Sequence, residues 1–170
     1  MKYANIKYCD IAIGLGVRTS LFVSGCTHRC QGCFNREAWD FEYGEEFTEE
    51  IEEEILRSCE PSYISGLSLL GGEPMEPVNQ RGLLSLARKF RERYPNKNIW
   101  CYTGYTYEAD LLDPEGHAHC EVTEELLGYI DILVDGEFEQ AQYDISLKFC
   151  GSRNQRILRI HEEGCPQLQL

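Results

Sequence analysis

Three cysteines fall in the run Gly25-Cys26-Thr27-His28-Arg29-Cys30-Gln31-Gly32-Cys33, close enough together to bind one inorganic centre. They supply only three sulfurs. A structural zinc site takes four protein ligands, and most all-cysteine iron–sulfur clusters do the same. A cluster held by three thiolates keeps one iron free of protein, and a small molecule can be bound and broken there. His28 lies inside the same run and is a candidate fourth ligand by position alone.

A second run, Gly71-Gly72-Glu73-Pro74, adds to this chemistry. Two glycines let the backbone approach a ligand without side-chain interference, and Glu73 offers an acceptor to an ammonium group. Taken alone, Gly-Gly most often makes only a turn. His117, His119 and Cys120 form a third polar group that could hold a metal, although an acidic surface loop explains it more simply.

The elements that must position these residues alternate between strands and helices. Arg18 to Ser24 reads as a buried strand that delivers the chain into the cysteine loop. Thr48 caps a helix running to about Arg57, with Ile51 and Ile55 on one face, so the Glu45 to Glu54 run reads as a solvated helix face. Leu67 to Leu70 is a second strand. Gln80 to Arg93 places Leu83, Leu86, Ala87 and Phe90 on one helical stripe, and Ile99 to Tyr102 is a third strand. Leu111 and Leu112 close a short helical segment. Thr123 caps a helix through Tyr129, Ile132 to Val134 is a fourth strand, and Gln155 to Ile160 reads as a last one.

Such alternation predicts an α/β fold with five or six mostly parallel strands and helical crossovers. A complete eight-fold barrel takes about 250 residues, so an open partial (β/α) barrel is expected. Four strands end in Ser24-Gly25, Gly71-Gly72, Thr103-Gly104 and Asp135-Gly136. Ligands of parallel α/β folds sit at the carboxyl ends of strands, so these four ends should converge on one site.

Nine cysteines is an odd number, so a complete disulfide framework cannot take them all. No charged-then-apolar leader opens the chain, and no stretch approaches the 18 or more apolar residues of a membrane span. A reduced, cytoplasmic protein is expected, with Cys9, Cys59, Cys101, Cys120, Cys150 and Cys165 serving mostly as small hydrophobes. The net charge of −13, from 29 acidic against 16 basic side chains, repels nucleic acid and anionic membranes and favours small molecules or proteins as partners. At 170 residues a single domain over 1–170 is expected, large enough to fold without help from a metal.

The cysteine loop after the first strand, paired with Gly71-Gly72-Glu73-Pro74 after the second, resembles the radical S-adenosylmethionine family. Further residues are similar to its anaerobic ribonucleotide reductase activating branch. These are Asp10, Gly14-Leu15-Gly16, Arg18 through Cys26, Gly32-Cys33-Phe34-Asn35 with Trp39, Trp100 with Tyr102 through Tyr105, Val134-Asp135-Gly136 with Phe138, and Gly151-Ser152 with Asn154-Gln155. They run from residue 10 to about residue 160.

The resemblance implies one 4Fe-4S cluster on Cys26, Cys30 and Cys33. It implies that S-adenosyl-L-methionine chelates the open iron and that Gly71, Gly72 and Glu73 bind its ammonium. Further cofactor contacts are expected from Gly32, Cys33, Phe34, Asn35, Thr103 and Asp135. Many members carry an aromatic residue just before the third cysteine, where this chain has Gly32, which makes Phe34 the candidate for adenine contact.

The implied activity begins with one electron from a flavodoxin or ferredoxin-type reductant, a strong donor because iron–sulfur potentials reach down to about −700 mV. Cleavage of the sulfonium yields methionine and a 5′-deoxyadenosyl radical, which takes a hydrogen atom from a glycine α-carbon in the large anaerobic ribonucleotide reductase subunit. No general base is required, and no catalytic residue beyond the cluster ligands is expected. The partner's glycine loop would enter through the open side of the barrel, provided that Glu162 to Leu170 leaves the mouth clear. Two alternatives stand beside this reading: a radical enzyme acting on another protein or a small molecule, and a zinc-binding docking module.

Overall fold

The chain begins with a stretch carrying Lys2, Asn5, Lys7 and Asp10 out of strict alternation, which nonetheless forms strand β1, Lys2–Asp10, antiparallel to β2, Val17–Val23. In this computed structural model, which describes residues 1–168, the remaining elements are β3 (Glu45–Glu46), α1 (Glu49–Ser58), β4 (Ile64–Gly71), α2 (Pro77–Arg93), β5 (Asn98–Tyr102), α3 (Thr123–Leu127), β6 (Ile132–Asp135) and β7 (Arg156–Arg159). They build one open sheet of seven strands in the order β3-β1-β2-β4-β5-β6-β7.

The central strands β2, β4, β5 and β6 are parallel, while β1, β3 and β7 run antiparallel to their neighbours. The expected count of five or six mostly parallel strands is therefore corrected to seven, of which three are antiparallel. The signal for β1 was weak because only Tyr3 is buried along it; it is held by ladder hydrogen bonds and not by an apolar run.

Both faces of the central strands are covered, which is why they read as near-continuous apolar runs. On one face Leu21, Val23, Leu67, Leu69, Ile99 and Leu133 pack against Ile55 and Leu56 of α1, Leu83, Leu86 and Phe90 of α2, and Leu126 of α3. On the other, Trp100, Val134 and Ile157 pack with Tyr102 and Phe149. Arg18 lies fully buried there, without a carboxylate partner among the described residues. It donates to Ser68 Oγ at 2.7 Å, Asn98 Oδ1 at 2.8 Å and the Leu67 carbonyl at 2.8 Å, and burial pushes its pKa down to about 10.

Two local expectations change. Glu45 and Glu46 form β3 against Tyr3 and Lys2, and Glu52 turns inward from α1 to pair with Lys89, so the glutamate run is not uniformly solvated. Thr123 does not cap α3. Its hydroxyl accepts the Cys120 amide and donates to Gln80 Oε1 at 2.7 Å, fastening the helix to α2. Among the described residues no helix is long and apolar enough to cross a membrane.

Candidate functional site

The parallel registers Val23↔Gly71, Leu69↔Cys101 and Tyr102↔Val134 bring the carboxyl ends of β2, β4, β5 and β6 to one edge. The turns that follow are tied to one another. Gly72 donates to the Val23 carbonyl at 2.7 Å and Glu73 to the Gly25 carbonyl at 2.8 Å; Thr103 donates to Val134 at 2.9 Å and Gly136 to Tyr105 at 3.2 Å. All four strand ends singled out above meet here. A Cβ on Gly72 would lie 2.5 Å from the Gly25 carbonyl oxygen and 2.7 Å from that of Ala38, so only glycine lets the turn come this close to the cysteine loop.

The cysteine loop leaves β2 at Ser24 and is folded back by the turn Arg36–Trp39. There the Gly25 amide donates to Ala38 at 2.8 Å and the Cys26 amide to Trp39 at 3.2 Å. Asn79, buried on α2, donates to the Ser24 and Glu73 carbonyls at 3.0 and 2.9 Å and so braces both runs at once. Cys26 is buried, whereas Cys30 and Cys33 are half-buried, and all three thiols are free. Burial, then the nearby Glu73, pushes the Cys26 thiol up to about 12; burial, then Glu137, pushes Cys30 to about 11. These thiols are therefore protonated without an electrophilic partner, and a metal that binds them must displace protons.

Glu73 is held at both of its carboxylate oxygens. Its side chain is buried, with Oε1 accepting the Met75 amide at 2.8 Å and Oε2 the Gly104 amide at 2.7 Å. His28 Nε2 stands 3.2 Å from Oε2, within ion-pair reach but off the angle of a hydrogen bond, so this buried nitrogen has no hydrogen-bond partner among the described residues. Its ring packs on Tyr105 with centroids 4.4 Å apart. Burial pushes His28 down, but Glu73, Glu137 and Glu76 outweigh it and the net shift is upward.

A cleft of about 410 Å³ opens beside this pair, within the size of small-molecule sites. His28, Gly104, Asp110, Asp135 and Glu137 line it, with His117, Asn154 and Arg156 also on its wall. Asp135, expected as a cofactor contact, is fully buried and held by Arg156, and its Oδ2 accepts the Tyr107 amide at 2.9 Å. Residues 162–168 do not line this cleft. Gln167 bridges to Leu158 on the outer edge of β7, and Leu168 lines a separate hollow of about 330 Å³ beside Asn98 and Asp131, at the opposite ends of the strands. The last two residues of the Glu162 to Leu170 segment lie outside the described ones.

Three soft thiol donors on one anchored loop, beside a buried carboxylate and a cleft, fit an iron–sulfur centre with a small ligand. Among the described residues no three Cys, His, Asp or Glu side chains converge as the ligands of a single ion would. Residues 12–158 match the family described as a 4Fe-4S single cluster domain. An anaerobic ribonucleoside-triphosphate reductase-activating protein of Vibrio cholerae is 42% identical over 161 residues, covering 94% of this chain and 98% of the relative. Proteins of the same name from Escherichia coli and enterobacteria phage T4 are 39% and 38% identical, covering 92% of this chain and 97% and 93% of their own lengths. The chain belongs to the anaerobic ribonucleoside-triphosphate reductase-activating protein family.

For a member of this family, the remaining expected site residues are distributed unevenly. Gly71 ends β4 against Val23 of β2, and Thr103 is buried with its hydroxyl on the Tyr105 amide at 3.1 Å. Gly32 is exposed near Gln140, and the Asn35 amide donates to Cys33 Sγ at 3.4 Å. Phe34 is 88% exposed and absent from the cleft wall. The trio His117, His119 and Cys120 disperses: His117 reaches the cleft, His119 Nδ1 contacts the Leu111 carbonyl at 2.7 Å and Cys120 Sγ the Gln80 side chain at 3.5 Å. Glu76, Asn79 and Arg156 were not anticipated. Asn79 and Gln80 carried a usable signal, two polar residues at the head of the apolar stripe of α2, whereas Arg156 had none.

Proposed function

We propose that this protein is a glycyl radical activating enzyme. It carries a 4Fe-4S cluster on Cys26, Cys30 and Cys33, binds S-adenosyl-L-methionine at the strand ends, and installs a glycyl radical on the large anaerobic ribonucleotide reductase subunit. The relatives' name states the target, and the cluster family states the centre. The open sheet, with β7 at one edge and β3 at the other, is read as the partial barrel of radical S-adenosylmethionine enzymes. The protein is read as a single cytoplasmic domain served by a flavodoxin or ferredoxin-type reductant.

When bound, the cluster and S-adenosyl-L-methionine supply one-electron cleavage of a carbon–sulfur bond and a carbon radical able to take a hydrogen atom from a glycine. The chain's own residues prepare the place. Glu73, buried beside the cysteine loop, would accept the ammonium of the amino acid moiety, with Gly71 and Gly72 keeping the approach free of side chains. The amides of Met75 and Gly104 hold the Glu73 carboxylate in one orientation before any ligand arrives. Acids around the cleft, Asp110 and Glu137 among them, favour a cationic sulfonium over an anionic ligand. Asp135 and Arg156 stiffen the wall, and no side-chain base is needed for hydrogen-atom transfer.

The observation that carries this reading is the pinning of the Gly72-Glu73 turn to the end of β2 at Val23 and to Gly25 at the start of the three-cysteine loop, by backbone bonds of 2.7 and 2.8 Å. The test is electron paramagnetic resonance on anaerobically reconstituted protein with dithionite, S-adenosyl-L-methionine and the large reductase. A reduced-cluster signal followed by a glycyl radical is expected from the parent chain and from Cys165→Ala, and none from Cys26→Ala, Cys30→Ala or Cys33→Ala. Glycyl radical formed at full yield by Cys30→Ala would overturn the assignment.

A further inference from the structure

The cluster loop is a cationic strip on a strongly acidic protein. Between Asp10 and Glu37 the chain has no carboxylate at all, although it holds 29 of them in total. Arg29 and Arg36 are exposed on this stretch, and neither meets a carboxylate within ion-pair distance among the described residues. By contrast, the exposed arginines of α1 and α2, such as Arg57, Arg81, Arg88 and Arg93, each hold a glutamate. Arg36 lies instead over the Trp39 ring at 5.8 Å, and Glu37, the nearest acid in sequence, accepts a bond from the Tyr43 hydroxyl at 2.8 Å. In sequence Phe34 falls between the two arginines, 88% exposed and next to the cluster ligand Cys33.

A large exposed aromatic flanked by unpaired guanidinium groups is the composition of a contact centre, since Arg and aromatic side chains carry most interface energy. Charge decides what fits. A net −13 protein repels another acidic protein everywhere except where its own field is locally reversed, so such a partner is steered to this strip. The cleft on the inner side of the loop carries Asp110, Glu137 and Glu139, and its Arg156 is already paired with Asp135 and Glu108, so it offers the same partner less attraction. Cys33 is half-buried while Cys26 is buried, so the sulfur beside Phe34 lies closer to the surface than that of Cys26.

We propose that Arg29, Phe34 and Arg36 form the docking face for an acidic one-electron carrier protein, which reduces the cluster through the Cys33 edge of the loop. This rests on the cluster assignment above. One electron leaves the carrier's reduced flavin or iron–sulfur centre and one enters the cluster; no bond forms or breaks. The face is small, in keeping with the modest areas of transient redox encounters. Phe34 thereby acquires a role on the outside of the loop, and the acidic cleft is left to the cofactor and the glycine-bearing partner.

The experiment is anaerobic stopped-flow mixing of the full, cluster-loaded chain with purified flavodoxin in its hydroquinone form, following the cluster absorbance. Arg29→Glu/Arg36→Glu is expected to lower the second-order rate constant at least about tenfold at low salt. The parent rate should fall with added salt and the variant's should not. Arg29→Gln/Arg36→Gln should lose part of the rate, which covers disturbance of the loop by charge reversal. Iron content and the spectrum after dithionite should match in all three. Equal rates and equal salt slopes would overturn the docking face, as would normal reduction by flavodoxin with weakened binding of the large reductase. Parent protein lacking iron and sulfide would instead remove the cluster on which the proposal stands.

Discussion

Glu76 Oε1 accepts both the backbone amide of Thr27, at 2.8 Å, and its hydroxyl, at 2.6 Å, so the residue that opens α2 is fastened to the middle of the cysteine loop. Its side chain is too long to be a usual helix cap. Here it makes no side-chain cap and serves the neighbouring loop instead. Glu76→Ala should leave the Thr27 amide and hydroxyl without this acceptor at a partly buried place, costing about 1 kcal/mol. Urea unfolding should register that loss, and iron per chain after reconstitution should fall below the parent value. Unchanged stability and iron content would show that the loop is held by its other anchors alone.

Gly72 and Gly136 make a contrast between two glycines at strand ends. At Gly72 an added methyl meets backbone oxygens at 2.5 and 2.7 Å, which side-chain motion cannot relieve. At Gly136 the nearest atoms are 3.6 Å away and the cost is confined to a φ of +102°. Gly72→Ala should therefore push the turn off the cysteine loop, abolishing S-adenosyl-L-methionine binding in equilibrium dialysis and lowering Tm by several degrees. Gly136→Ala should cost about 1–2 kcal/mol and retain binding. Equal effects of the two substitutions would contradict the close packing at Gly72.

Arg156 and Asp135 form a pair in which one partner is fully buried and the other only partly. The Asp135 and Glu108 carboxylates both raise the Arg156 pKa, and Glu108 is lowered in return by Arg156. Arg156→Met should be severe, about 3–5 kcal/mol, because Asp135 is left as a buried charge. Adding Asp135→Asn should recover much of that loss. Chemical denaturation of the single and double variants checks this, and additive losses would show that the two residues act independently.

Asp144 supports the turn between Gln140–Gln142 and β7. Its carboxylate accepts the Ser146 hydroxyl at 2.6 Å, the Ser146 amide at 2.9 Å and the Arg153 side chain at 2.9 Å, and these bonds, Ser146 first, hold its pKa down to about 2. A carboxyl lowered on folding stabilises the folded turn above its ordinary value, about 4, and that contribution is lost as pH falls through about 2. Hydrogen exchange at the Ser146, Leu147 and Arg153 amides, corrected for intrinsic rates, should accelerate between pH 5 and pH 2. In Asp144→Asn the acceleration should be absent. An identical profile in both proteins would assign the turn's stability to its backbone bonds.

Much of the architecture was legible because its signals are local. The apolar strands β2, β4, β5 and β6 are short buried runs, and the stripe Leu83, Leu86, Ala87 and Phe90 has the helical period. What escaped were elements stabilised by their neighbours. Strand β1 buries only Tyr3 and exists because β2 offers it a ladder; β3 is two glutamates long. Glu52 could not be told from its solvated neighbours, since burial depended on where α2 placed Lys89.

The site divides in the same way. Residue type and spacing alone determined the three thiols, the Gly71-Gly72-Glu73 turn and the four polar strand ends, because a ligand set within one loop and a turn at one strand end are properties of contiguous chain. Only the tertiary structure decided that Gly104 and His28 meet Glu73, that Arg156 holds Asp135, that Phe34 faces outward, and that His117 parts from His119 and Cys120. Those outcomes follow from the order and register of the strands, which bring together side chains dozens of residues apart and which no local pattern of residues encodes.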